Sequence, residues 1–177
     1  KLIENSVRDE YLLLAFAEYL AENYQKAIDL YQQHAPELFT SLRLTSGALL
    51  PSSFYLANSL YLSGQKEAAL IVATNNAEWL EVFTKRMDEG DEVIRFAFSH
   101  FYPSVYITNG DTKKALQELK LILVDKRFRK RLNVYRHAPI FKHLHQFPEF
   151  VQWLDNAEND IKDIKSSLSQ LQTTRSP

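Results

Sequence analysis

Three alanines, Ala27, Ala69 and Ala115, each lie early in a helix-forming segment that follows a short polar turn. Another helix-forming segment precedes each turn, so the chain repeats a helix, a turn and a second helix three times. One amphipathic hairpin cannot bury its apolar face alone, so successive hairpins must share a core. The pattern therefore predicts an all-α protein of stacked antiparallel helical hairpins.

The first hairpin has the clearest signals. Its first helix is expected from about Arg8 to Ala21, because Ser6 and Asp9 are spaced like a capping box, and its second helix should stop before Pro36. The inward positions of the first helix are expected at Tyr11, Leu14, Ala15 and Glu18. Those of the second are expected at Tyr24, Ala27, Ile28, Tyr31 and His34.

The second and third hairpins follow the same plan. The second is expected to open near Pro51 with Ser52 or Ser53 as the N-cap, and the third to open between Phe96 and Tyr106. The predicted core positions of the second are Leu56, Ala57 and Leu60, then, after the turn Ser63–Gly64–Gln65, Ala69, Leu70 and Ala73. Those of the third, after the turn Asn109–Gly110–Asp111, are Ala115, Leu116, Leu119, Ile122 and Leu123. Asp111 is placed to cap the returning helix.

These positions resemble the tetratricopeptide repeat (TPR) family in divergent form. The matching residues are Tyr11, Leu14, Ala15, Tyr24, Ala27 and Tyr31; then Leu56, Ala57, Leu60, Gly64, Ala69 and Ala73; then Tyr102, Tyr106, Gly110, Ala115 and Leu119. The resemblance implies a TPR-like α-solenoid with a protein-binding concave face, although the motifs also fit other α-solenoid families. Pro103 departs from the pattern and predicts a kink.

The array is expected to be irregular, because the three alanines are 42 and 46 residues apart and a standard repeat has about 34. A connecting loop over residues 38–50 and an additional helix over residues 77–89 account for the extra length. Residues 1–125 are therefore predicted to form three helix pairs. Residues 126–177 are predicted to form a basic connector, short anchoring turns and a C-terminal capping helix.

The last fifty residues carry two further patterns. Pro139, Phe141 and Leu144 are echoed nine residues later by Pro148, Phe150 and Trp153, which predicts two short anchoring turns. These turns resemble terminal elements found after such repeats in multidomain bacterial regulators. The resemblance implies that the chain is the C-terminal part of a protein of signalling or transcription regulation.

A long helix is predicted from Pro148 onward, with apolar residues at alternating spacings of three and four. Its seam consists of Leu154, Ala157, Ile161, Ile164, Leu168 and Leu171. A seam of this length can cap the repeats or pair with a second copy in a short coiled coil. Capping is favoured, because solenoid ends need a cover and a short coiled coil is marginal. The chain is expected to be a monomer or a homodimer.

Enzymatic chemistry finds little support in the sequence. The chain has no cysteine and only four glycines, and it lacks phosphate-loop, nucleophile-elbow and zinc-helix motifs. His137, His143 and His145 are the best metal candidates, but His143 and His145 would lie on different faces of a helix and few carboxylates are near, so they are interpreted as surface or core-edge residues. No catalytic residue, cofactor or metal is predicted. No apolar run is long enough for a membrane span.

Residues 126–148 hold seven basic side chains and no acidic one, with Lys126, Arg127, Arg129, Lys130 and Arg131 close together. A solvated helix end with favourable dipole contacts is the first interpretation. An acidic protein partner is the second. Nucleic acid is the least favoured, because the flanking segments are acidic.

The sequence thus predicts a non-enzymatic module that binds a peptide or protein segment, as a sensor, scaffold or assembly domain of a larger regulatory protein. The alternative is a structural domain that dimerises through the C-terminal heptad helix. If the first helices form the groove floor, its exposed residues should include Glu18, Asn58 and Tyr61. The domain is expected to be soluble, cytoplasmic or periplasmic in a bacterial host.

Overall fold

The computed structural model describes residues 2–40, 49–86, 100–124 and 132–173, and these residues form helices and short turns without any strand. The α-helices are α1 (Leu2–Leu20), α2 (Tyr24–His34), α3 (Leu49–Leu62), α4 (Lys66–Arg86), α5 (Phe101–Thr108), α6 (Thr112–Val124), α7 (Leu132–His137) and α8 (Pro148–Thr173). Two 3-10 helices, Pro36–Phe39 and Pro139–Gln146, lie between them. The all-helical prediction is confirmed for this part of the chain.

The helices pack as neighbouring pairs. α1 packs on α2, α3 on α4 and α5 on α6, and the second helix of each of the first two pairs also contacts the first helix of the next pair. One buried cluster therefore spans the first two pairs, and a second joins α5 and α6 to the C-terminal elements. The half-buried Tyr61 and Leu62 of α3 contact both clusters.

The three hairpin turns share one backbone geometry. Each has a residue of positive φ just after the first helix: Glu22 (64°), Gly64 (89°) and Gly110 (79°). The N–H of the next residue donates to a carbonyl five residues back, as from Asn23 to Glu18 at 2.9 Å. This bond, with the left-handed residue before it, is the arrangement that ends a helix in a Schellman motif. Glycine is favoured there because it carries no Cβ, and Glu22 is the exception.

The three alanines that mark the hairpins are fully buried. Ala27, Ala69 and Ala115 have no exposed surface, and the N–H of each donates to the carbonyl of the residue four positions earlier, in the turn. Small side chains at these positions let the two helices of a hairpin approach closely. The predicted cap is confirmed too, since Oδ1 of Asp111 accepts from the Lys114 N–H at 3.0 Å.

The first helix differs from its prediction. α1 begins at Leu2, so Ser6 and Asp9 lie inside it and form no capping box at its start. Its buried residues are Leu12, Ala15 and Tyr19, whereas Tyr11 and Leu14 are 37% and 43% exposed. A continuous apolar run makes several stripes equally plausible in sequence, and packing against α2 and α3 selects this one.

The second hairpin needs three corrections. α3 begins at Leu49, before Pro51, so Ser52 and Ser53 are not N-caps; the Ser53 hydroxyl donates to Oδ1 of Asn76 at 2.6 Å. A proline in the first turn is tolerated because its missing N–H has no helical partner there. Leu70 is 48% exposed, and Val72 is buried instead.

The predicted additional helix at 77–89 is not a separate element over its described residues. α4 continues without a break from Lys66 to Arg86, and residues 87–89 lie outside the described part. Of the predicted loop over 38–50, residues 38 and 39 end a 3-10 helix and residues 49 and 50 begin α3. Residues 41–48 lie outside the described part.

The start of the third hairpin is described only from His100 onward, so Phe96 and Phe98 lie outside the described residues. Pro103 is the third residue of α5, where a missing N–H breaks no helical hydrogen bond. The predicted kink therefore has no cause at this position.

The C-terminal elements pack on the third helix pair. Pro139 and Pro148 each open a helix, as predicted, and the residues before them, Ala138 and Phe147, are extended. The second anchoring turn is the opening of α8, which packs on α6 and α7. Residues on both sides of the predicted boundary at 125/126 share one buried cluster. No helix in the described ranges combines the length and apolar character that crossing a membrane requires.

Replacing Ala69 by Leu should lower the free energy of unfolding by about 1–3 kcal/mol, because the larger side chain overpacks a fully buried contact between α3 and α4. Urea unfolding of both variants measures the change. The control is Gln117→Leu, at an exposed position of α6. A surface substitution of this kind should change stability by no more than about 0.5 kcal/mol. Equal effects at both positions would contradict the close contact at Ala69.

Candidate protein-binding surface

Glu18, a predicted groove residue, stabilises the turn between α1 and α2. Its carboxylate lies 2.6 Å from Nζ of Lys26 and accepts a hydrogen bond from Nδ2 of Asn23 at 2.8 Å. The hydrogen bonds from Lys26 and Asn23 lower the pKa of Glu18. Its side chain is only 12% exposed. The expectation of an exposed Glu18 is therefore wrong, because the hairpin itself uses the carboxylate.

Asn58 and Tyr61 lie on α3, which α1, α2, α4 and α5 surround. Asn58 is 3% exposed and hydrogen-bonds the hydroxyl of Tyr19 on α1. The expectation that Asn58 is exposed is therefore wrong. Tyr61 is half-buried between the two clusters. A helix enclosed by four others offers little free surface to a partner.

The C-terminal part of the chain contacts the same region. The N–H of Ile140 donates to the Tyr19 hydroxyl at 3.4 Å, and Nζ of Lys142 pairs with the carboxylate of Glu22. Tyr19 is 1% exposed, and this burial raises its pKa. The expected groove floor at the ends of α1 and α3 is therefore partly occupied by the segment Pro139–Gln146.

The histidines of this segment are partly buried. The Nε2 atoms of His143 and His145 are buried without a hydrogen-bond partner in the described structure. Burial lowers the pKa of His143, and a hydrogen bond to the Ile140 backbone opposes that shift. Among the described residues, no three His, Asp or Glu side chains are grouped so that they could hold a metal ion.

The predicted basic cluster, Lys126, Arg127, Arg129, Lys130 and Arg131, lies outside the described residues. The described cation that follows it, Arg136, has an internal role. Its guanidinium lies 2.8 Å from Oδ1 of Asp155 and 2.6 Å from Oε1 of Glu158, and the bond to Asp155 is the main cause of its raised pKa. Arg136 therefore links α7 to α8 through two ion pairs.

The surface depressions of the described structure lie over turns. One is lined by Glu22, Asn23, Tyr24, Gln25, Lys26 and Ser63, and another by Gly64, Gln65, Lys66, Glu67 and Ala68. Both are open to solvent. The turns of the first and second hairpins are in contact, since Nε2 of Gln65 donates to Oε1 of Gln25 at 3.1 Å. Neither depression is an enclosed cavity.

The most apolar exposed surface lies on α1. This helix carries five of the eleven exposed large apolar side chains among the described residues. We define the α1 outer face as six residues that share one side of the helix, opposite the buried stripe. They are Val7, Glu10, Leu13, Leu14, Ala17 and Leu20. The leucine at position 13 is 68% exposed, more than any other large apolar side chain of the described residues.

α1 is thus apolar on two sides. Its buried stripe packs on α2 and α3, where the rings of Phe16 and Tyr55 lie 4.4 Å apart between centroids. On its flank, Tyr11 stacks on His34 of α2 at 3.7 Å. A helix that is hydrophobic all round is normally buried on all sides. The uncovered α1 outer face therefore has the character of an interface.

A second exposed apolar site lies at the far end of α8. The first half of its seam is buried, with Leu154 at 0% and Ala157 at 3% exposure, as capping requires. Ile164 and Leu168 are 49% and 55% exposed. The chain itself therefore covers the first half of the seam, and Ile164 and Leu168 in the second half remain exposed.

Sequence reasoning missed the α1 outer face, although a signal was present. The run Leu12–Leu13–Leu14 places leucines around more than half of the helix, so no single stripe can bury them all.

Comparisons of the chain with protein-family models, with curated proteins and with solved structures gave no match.

Replacing Asn58 by Ala should lower the free energy of unfolding by about 1–3 kcal/mol, because it removes a buried partner of the Tyr19 hydroxyl. The matched control is Asn156→Ala at an exposed position of α8. That change should alter stability by no more than about 0.5 kcal/mol. Chemical denaturation compares the two. A cost at Asn58 no greater than at Asn156 would contradict the buried hydrogen bond.

Acidification should destabilise the fold through His143. Its pKa is lowered in the folded state, so below its ordinary value of 6.5 the unfolded chain binds a proton that the folded chain does not. Stability is therefore retained above that value and declines as the pH falls towards the folded pKa. NMR titration of the His143 ring should give a midpoint below 6.5, and His143→Asn should lose less stability on acidification. A midpoint above that ordinary value would refute the assignment.

Proposed function

We propose that this chain is a non-enzymatic protein–protein interaction module, built as a TPR-like stack of hairpins, that binds a peptide or protein segment. The observation that carries the proposal is the α1 outer face, where Val7, Leu13, Leu14 and Leu20 are 43–68% exposed on one helix. Apolar patches of this kind are typical of protein-binding sites.

The TPR-like arrangement is supported by the repetition of the turns. The left-handed residues 22, 64 and 110 each precede a buried alanine by five residues. The contacts of α2 with α3 and of α4 with α5 are those of stacked pairs. Such a stack presents pre-formed helices, so little order has to be gained on binding.

The docking surface in this proposal is the outside of the first helix rather than a groove along the first helices. The residues expected to line that groove already contact other parts of the chain. Glu18 pairs with Lys26, and the neighbouring Tyr19 accepts a hydrogen bond from Ile140. A helix is the partner that suits a long, narrow apolar stripe, because its own side chains interlock with those of α1. Within a larger regulatory protein, the module would act in sensing or assembly.

A second candidate function is oligomerisation through α8. The exposed Ile164 and Leu168 favour it, since they continue the heptad seam beyond the part that caps the stack. The surface they offer is smaller than that on α1.

Leu13→Asp should abolish binding of peptides selected by the wild-type domain from a displayed random library, with little change in folding stability. An exposed charge disrupts an apolar contact on binding, whereas the free domain already exposes position 13. Fluorescence polarisation with labelled peptides measures the loss. Leu121→Asp is the matched control, because this α6 residue is 66% exposed and lies outside the α1 outer face. Selection of no peptide, or equal binding by both variants, would overturn the proposal.

A further inference from the structure

We propose that the α1 outer face takes a basic amphipathic helix of a partner protein, with a lysine or arginine of that helix against Glu10. This inference rests on the proposed function, since it names the chemistry of the partner for that face. The position of Glu10 within the face and the charge of the surrounding surface carry it.

Glu10 lies at the centre of the α1 outer face. Residues three and four positions apart are neighbours on a helix surface, and three such neighbours of Glu10 are the exposed apolar residues Val7, Leu13 and Leu14. The exposed Ala17 lies two turns further along the same side, and Glu10 is itself exposed. A helix that covers these apolar residues therefore covers the carboxylate as well.

The carboxylate of Glu10 is not neutralised by the described part of the chain. Among the described residues, neither Glu10 nor the adjacent Asp9 has an ion-pair partner. Arg8 lies two positions away, on another side of the helix, and pairs with Glu37. Burying an unpaired carboxylate costs far more than burying one that is paired with a cation. A partner that supplies a positive charge is therefore favoured over a purely apolar one.

The surface around α1 carries a net negative charge. Residues 2–40 contain seven acidic and two basic side chains. Both basic side chains already pair with carboxylates of the same chain. The pairs are Arg8 with Glu37 and Lys26 with Glu18. An excess of negative charge attracts a cationic partner and raises its rate of association.

The chain itself makes one contact of this kind at the end of α1. The segment Pro139–Gln146 contains basic and apolar residues but no acidic one. Its Lys142 pairs with the carboxylate of Glu22. Its Ile140 N–H donates to the Tyr19 hydroxyl. A cationic and partly apolar segment therefore already contacts this acidic helix end, where the helix dipole also favours positive charge.

A second copy of this chain is the less suitable occupant. Contact between two α1 outer faces would bring carboxylates of both copies together with no cation between them, and like charges across an interface oppose binding. A basic helix has the opposite effect.

Selection of peptides from a displayed random library tests the chemistry of the partner. The pool selected by the wild type should contain more Lys and Arg than Asp and Glu, with apolar residues at helical spacings of three and four. Glu10→Lys should select a pool without this basic excess. The matched control Glu78→Lys, at an exposed position of α4, should keep it.

Fluorescence polarisation with one selected basic peptide measures the effect of the charge. Glu10→Lys should raise the Kd about tenfold or more, and Glu78→Lys should leave it nearly unchanged. Replacing the basic residues of the peptide by glutamate, one at a time, should yield one peptide that binds Glu10→Lys more tightly than it binds the wild type. A folding defect would not be rescued in this way.

Three results would overturn the inference: a wild-type pool with no basic excess, equal losses in Glu10→Lys and Glu78→Lys, or no peptide rescued by charge reversal. If the selected peptides still lose binding with Leu13→Asp, the interaction module stands and only the charge of its partner is wrong. Selection of no peptide would overturn both proposals.

Light scattering of the free domain tests the other occupant. The wild type should be monomeric over a concentration series. A dimer that Leu13→Asp dissociates would assign the α1 outer face to a second copy and would overturn the basic helix as its partner.

Discussion

In the described part of this chain, each helix pair buries apolar side chains against a neighbouring helix, and the geometry of three turns decides which helices meet. The left-handed residues at 22, 64 and 110 reverse the chain within a few residues. Buried alanines five positions later then let the returning helix lie close. Because one pair leaves apolar surface uncovered, each pair needs a neighbour. Successive helix pairs along the described chain therefore cover part of each other's apolar surface.

The first and last described helices differ in how far their apolar residues are buried. At the C-terminal end, the segment Pro139–Gln146 and the first half of α8 fill the space beside α5 and α6, and their apolar residues are almost fully buried. At the N-terminal end, α1 keeps an apolar face in solvent. Among the described residues, α1 thus carries more exposed large apolar side chains than any other helix. The proposed function rests on that surface, since a partner helix would cover it.

Helix content and turn positions could be predicted from the sequence because they depend on local signals. Glycine at 64 and 110, Asp111 as a cap and the prolines at 139 and 148 act within a few residues of their own positions. Each lies where it was expected. The turn at Glu22 was also located, although its left-handed backbone has no sequence signature.

Which face of each helix is buried could not be predicted equally well, because long-range contacts decide it. Leu12, Leu13 and Leu14 are chemically alike, and only the positions of α2 and α3 select Leu12 for the core. Asn58 was expected on the surface as a polar residue, yet four neighbouring helices enclose α3. Contacts such as that between Tyr19 and Ile140, 121 residues apart, leave no pattern in a single sequence.

In the proposed function, the α1 outer face is the surface that this chain uses to bind protein. Since the chain has no cysteine, Leu13→Cys provides a single site for an environment-sensitive fluorophore, and Leu121→Cys provides a matched site on α6. The emission at position 13 should shift to the blue on adding a selected peptide, while that at position 121 should stay constant. A shift at position 121 with none at position 13 would instead place the binding surface on α6.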